Sequence, residues 1–98
     1  MTSSFEQKDA VQRVKDAAQI VDIIGECVSL KRAGSNMKGL CPFHGEKTPS
    51  FTVNPVRQSF HCFGCGEGGD VLSFMMKYYN LTFPETIKQL AQRYQITL

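Results

Sequence analysis

The apolar positions of this chain change period twice. Val11, Val14 and Ala18 recur at helical spacing, and Ser4 with Gln7 fits a capping box that would open such a helix. Asp22-Ile23-Ile24 predicts a short further helical turn, ended by Gly25, whose missing Cβ suits a left-handed stop. Helix is therefore expected over 5–24. From Val28 the period becomes two: Val28 and Leu30 alternate with Ser29 and Lys31. Gly34-Ser35-Asn36 reads as a turn and Met37–Leu40 as the returning strand, with Phe51-Thr52-Val53 and Ser59–Cys62 as further strands around an Asn54-Pro55 turn. Short antiparallel strands are thus expected over 28–66. Helical spacing then resumes over 70–95. Gly68-Gly69-Asp70 opens a segment carrying Val71, Leu72, Phe74, Met75 and Tyr78. Thr82 with Glu85 forms a second capping box around Pro84, and Ile87, Leu90, Ala91 and Tyr94 mark one buried face. The order predicts an α+β fold over 1–98, a small antiparallel β-sheet flanked by N- and C-terminal helices.

Length sharpens this picture. A domain of 98 residues buries only roughly 60–65% of its unfolded surface, so something besides a core is expected to hold it. No apolar run approaches the ~20 residues of a membrane span, so no membrane is expected as a partner. The first residues lack the basic-then-apolar order of a secretory signal. The expected setting is cytoplasmic, where thiols stay reduced, and four cysteines there ask first for a metal or a redox role.

The chemistry concentrates in Cys41-Pro42-Phe43-His44 and Cys62-Phe63-Gly64-Cys65. Two donors separated by two residues reach one ion from a single tight turn, and two such pairs complete a tetrahedral Zn²⁺ site of the zinc-ribbon kind. Thiolate and imidazole suit zinc better than oxygen-loving ions. Gly64 and Gly66 suit the turn, where amides must face the sulfurs. All four ligands are protein atoms, so one structural Zn²⁺ is expected and no open catalytic position. His61 competes with His44, but on a strand it points away from its neighbour Cys62. Cys27 lies far from both pairs and reads as a small buried apolar residue. A redox dithiol at Cys62 and Cys65 and a pair of structural disulfides stand as the alternatives to metal.

Net charge is only +2, but it is unevenly spread. Between Cys27 and Gly66 five basic residues, Lys31, Arg32, Lys38, Lys47 and Arg57, face the single acid Glu46, while the rest of the chain has six basic and eight acidic residues. Phe43, Phe51, Phe60, His61 and Phe63 lie among these cations. Cations that track phosphates beside rings that stack on bases suit single-stranded nucleic acid, although at least two of the phenylalanines are expected in the core. Glu46, Glu67 and Asp70 are too scattered to hold Mg²⁺, and the glycines after Cys62 lack the Lys and Ser/Thr of a phosphate loop. The domain therefore reads as a binding platform without catalytic residues.

Cys41-Pro42-Phe43-His44-Gly45-Glu46-Lys47-Thr48-Pro49-Ser50-Phe51, followed by Phe60-His61-Cys62-Phe63-Gly64-Cys65-Gly66, resembles the N-terminal zinc-binding domain of bacterial DNA primase. The flanks Ile20-Val21-Asp22-Ile23-Ile24-Gly25 and Gly69-Asp70-Val71-Leu72-Ser73-Phe74 are similar as well, so the resemblance covers nearly the whole chain. It implies a fragment of a longer nucleotidyltransferase that makes RNA primers in DNA replication. In such a protein the zinc domain binds the single-stranded template and helps choose the start site. The polymerase domain, acting in cis or trans, would hold Mg²⁺, and a further domain would bind the replicative helicase. The resemblance places the zinc ligands at Cys41, His44, Cys62 and Cys65. It places template contacts near Lys31, Arg32 and Lys47, with His61 beside them; Lys38 and Phe63 join them from the basic and aromatic pattern. A ribbon that docks on a polymerase or helicase without touching DNA is the alternative.

Overall fold

A computed structural model describes the backbone over 3–45 and 48–98 and the side chains from Asp9 onward within those ranges. The Ser4–Gln7 capping box and Lys47 lie outside the described side chains. The helical and sheet elements alternate as α1 (Ser3–Ala17), α2 (Ile20–Gly25), β1 (Lys31–Ala33), β2 (Asn36–Gly39), β3 (Phe51–Asn54), β4 (Ser59–Cys62), β5 (Gly68–Gly69), α3 (Val71–Tyr78) and α4 (Phe83–Arg93). The five strands form one antiparallel meander in sequence order. No described helix is long and apolar enough to cross a membrane.

Two N-terminal expectations are corrected. The Val28–Leu30 segment is not strand, and the sheet begins three residues later, at Lys31. The amides of Cys27 and Val28 both donate to the Ile24 carbonyl, so the chain still completes the end of α2 there. The segment then crosses closely over β2: a Cβ on Gly39 would come within 2.7 Å of the Ser29 carbonyl oxygen. The alternation of Val28 and Leu30 therefore reflects packing over Gly39, not sheet pairing. Nor does Gly25 supply a left-handed stop: it is the last residue of α2, and the cap at Glu26 is right-handed, with φ −74°.

Strand parity sorts the sheet into two faces. Phe51, Val53, Phe60 and Cys62 point inward and are buried. They meet α3, whose Phe74 stands 5.6 Å from Phe60 and 6.3 Å from Phe51, ring centre to ring centre. Val14, Ile20, Ile24 and Leu90 extend the same core between the helices. Tyr78, at the end of α3, stacks on Phe74 but stays partly exposed. Cys27 is only half-buried, and its sulfur lies 3.0 Å from the Tyr79 hydroxyl, so it is not the fully enclosed apolar residue expected.

The helix ends follow their local signals. Asp70 caps α3 by accepting from the Ser73 amide at 2.9 Å, and pairs with Lys15 of α1 at 3.4 Å. Thr82 and Glu85 form the reciprocal capping box, with each side chain accepting from the other residue's amide at 3.3 and 2.8 Å. Thr86 was not foreseen as core; it is fully buried because its hydroxyl donates back to the Thr82 carbonyl at 2.9 Å.

Candidate functional site

Cys41, His44, Cys62 and Cys65 converge at the open end of the sheet, with all four donor atoms within 4.8 Å of one another. Cys62 ends β4, while Cys41 follows β2 and faces it across β3. Each pair forms a tight turn around its first sulfur: the Phe43 amide lies 3.4 Å from the Cys41 sulfur, and the Gly64 amide lies 3.4 Å from that of Cys62. Gly66 closes the second turn by donating to the Cys62 carbonyl at 2.8 Å, and its φ of 82° is one that residues with a Cβ rarely adopt. Phe43 anchors the first turn, lying 5.5 Å from Phe74 and 6.1 Å from Phe60, with the Lys77 ammonium over its ring.

The spacing of the donors fits one metal ion. Four ligands held about 2.3 Å from a common centre stand roughly 3.8 Å apart at tetrahedral angles. The Cys41 and Cys65 sulfurs are 3.9 Å apart, and His44 Nε2 is 3.3 Å from the Cys62 sulfur. No disulfide joins the four cysteines, since a bonded pair of sulfurs would stand about 2.05 Å apart. His44 Nδ1 lies 3.1 Å from the Gly45 carbonyl, which can only accept, so that nitrogen carries the proton. Nε2 faces the Cys62 sulfur and is the nitrogen that would bind a metal ion, with Nδ1 held by the carbonyl as in an oriented metal-bound imidazole.

Electrostatics distinguishes the sulfurs. Burial alone pushes the Cys62 thiol up. Hydrogen bonds from His44, Ser50 and the amides of Cys65 and Gly64 outweigh it and bring the thiol down to about 6. Burial, with Cys62 and Cys65 alongside, pushes Cys41 up to about 12. Ser50 was missed by sequence reasoning. Its hydroxyl lies 3.6 Å from the Cys62 sulfur, and its carbonyl accepts from the Phe63 amide at 2.9 Å. No spacing signal marks it, because its role depends on β3 lying beside β4.

The opposite face is built by register. Lys31 pairs with Lys38, Lys38 with Thr52, Thr52 with His61, and His61 with Gly68, giving one row across all five strands. Lys31, Lys38 and His61 are exposed on this face. Phe63 continues past β4 with 73% of its surface open, its ring edge-to-face with His61 at 4.6 Å. Arg32, also exposed, belongs to the other row, opposite Met37 and Val53, so its side of β1 differs from that of Lys31. Thr52 joins the row without having been singled out from sequence.

Residues 6–98 match the family described as CHC2 zinc finger. DNA primase of Listeria monocytogenes is 57% identical over 84 residues, covering 86% of this chain and 13% of the relative. That of Clostridium acetobutylicum is 54% identical over 91 residues, covering 93% and 15%. The crystal structure of the Aquifex aeolicus primase, comprising zinc-binding and RNA polymerase domains, matches all of this chain and 23% of its own, with TM-score 0.87 and 40% identity. The chain thus spans less than one sixth of the length of these curated relatives. By sequence match, ligand quartet and sheet architecture, it belongs to the CHC2 zinc finger family of DNA primase zinc-binding domains.

Proposed function

We propose that this domain recognises the single-stranded template of a DNA primase and helps start RNA primer synthesis, with no catalytic residue of its own. The observation that carries the reading is the row Lys31–Lys38–Thr52–His61 on the sheet face turned away from the core. Like charges directly opposed across two strands destabilise a sheet, and a polyanion relieves that repulsion. The two lysines track phosphates while the exposed His61–Phe63 pair offers a stacking surface for a base. Arg32, exposed on β1, and Lys47 complete the proposed contact set.

One structural Zn²⁺ held by Cys41, His44, Cys62 and Cys65 would fix the turns that end β4 and orient Phe63. A polymerase domain, in cis or trans, would be the partner that receives the template and would hold Mg²⁺ for nucleotidyl transfer; the Aquifex aeolicus primase carries an RNA polymerase domain beside its zinc-binding domain. A replicative helicase would bind through a further part of such a protein, which would work in the cytoplasm at the replication fork.

The test is complementation in trans: this chain is supplied to a primase lacking its own zinc domain, and primer synthesis is scored on single-stranded templates. Restored synthesis is expected, with Lys38→Ala weakening binding to every template and lowering its salt dependence by about one unit of slope. A zinc-loaded, folded chain that restores nothing would overturn the reading. Partly exposed Tyr78, Tyr79 and Phe83 favour a second reading, docking on the polymerase domain without DNA. That reading predicts association that persists as salt rises.

A further inference from the structure

Among the described residues, Thr52 Oγ1 is the one buried side-chain oxygen or nitrogen without a hydrogen-bond partner. Such a hydroxyl is destabilising, and valine would fill a strand position of this shape without it. Its place in the fold suggests a use. Thr52 stands at the middle of the five-strand row, with Lys38 opposite it on β2 and His61 opposite it on β4. On one side lie the cations that would follow a nucleic-acid backbone. On the other lies the His61–Phe63 pair on which a base would rest. A base resting there would turn an edge toward the strand between them.

We infer that the Thr52 hydroxyl hydrogen-bonds the edge of a template base and makes this face discriminate between bases; the inference rests on the single-strand reading above. A rotation about Cα–Cβ to another staggered rotamer carries the methyl group into the hydroxyl's enclosed place and moves the hydroxyl out of it, to the position the hydrogen held. The unpaired oxygen then turns outward onto the ligand and the methyl takes the enclosed position. The hydroxyl can donate or accept, so it can answer either kind of group on a base edge. Contacts to phosphate carry no sequence information, whereas a contact to a base edge does.

The experiment measures binding of the zinc-loaded chain to dT, dC and dA homopolymers of equal length by fluorescence anisotropy over a salt series. The wild-type chain is expected to prefer one homopolymer. Thr52→Val is expected to shrink that preference about fivefold, with an unchanged salt slope because no charge is lost, while Thr52→Ser keeps it. If Thr52→Val loses zinc or its β-sheet signal, Thr52→Ala against Thr52→Ser decides on the same ratio. A preference undiminished without the hydroxyl overturns the inference alone, as does a wild-type chain that binds with no preference. A wild-type chain with no salt-dependent binding overturns the template reading together with it.

Discussion

The two faces of the sheet are made of alternate residues of the same strands, and they answer to opposite demands. On β4, Phe60 and Cys62 are buried while Ser59 and His61 lie on the other side. On β3, Phe51 and Val53 have no exposed surface, and Thr52 between them belongs to the outer row. The inner face is aromatic, closely packed and joined to α3. The outer face opposes lysine to lysine and keeps an unpaired hydroxyl. Stability on one side thus allows a strained polar arrangement on the other, since a locally unfavourable face persists only on a frame that other contacts hold.

Removing the metal tests that frame most severely. Zinc binding in small domains contributes on the order of 10 kcal/mol to folding. A strong chelator is therefore expected to abolish the β-sheet signal in circular dichroism, with zinc restoring it; an unchanged spectrum after complete removal would show that the ligands do not hold the sheet. The next effect separates the faces directly. Phe51→Ala opens a cavity in the aromatic cluster and is expected to destabilise by about 3–5 kcal/mol. Phe63→Ala, on the exposed side, is expected to change stability by less than about 0.5 kcal/mol. Urea denaturation of the zinc-loaded variants measures both, and similar losses would erase the distinction.

Smaller effects come from the helices behind the inner face. Thr82→Ala removes the cap of α4 and is expected to lose about 1 kcal/mol in the same denaturation experiment. Asp70 adds a pH dependence. Burial pushes its carboxyl up, but hydrogen bonds from Ser73 and the nearby Lys15 more than offset this and hold it below its ordinary value. A lowered carboxyl stabilises the fold above its unfolded value of 3.8, and that contribution fades as pH falls through the still lower folded value. Asp70→Asn keeps a capping side chain without the charge. It is expected to be less stable than wild type by under about 1 kcal/mol at neutral pH, and to converge with it in strong acid. A constant difference would assign the loss to shape instead of charge.

Local patterns were legible where one stretch of chain supplies all the partners. The Thr82–Glu85 box and the turns around Cys41 and Cys62 are such cases, because donor and acceptor lie two or three residues apart. Strand alternation also placed His61 and Cys62 on opposite faces. The same alternation misled at Val28 and Leu30, where apolar residues serve a crossing over Gly39. It could not place Arg32 relative to Lys38, because that depends on which residues stand opposite across β1 and β2.

Sequence by itself determined the four metal donors, the order of helices and strands, and the basic character of the centre, because each is carried by spacing or composition within a short segment. Tertiary structure alone decided which cations share a face, that Ser50 approaches a metal-ligand sulfur, and that Thr52 lies between Lys38 and His61. These depend on register between strands distant in sequence, and register is set by the buried face as a whole: a slip of one residue would turn every side chain of a strand to the other side.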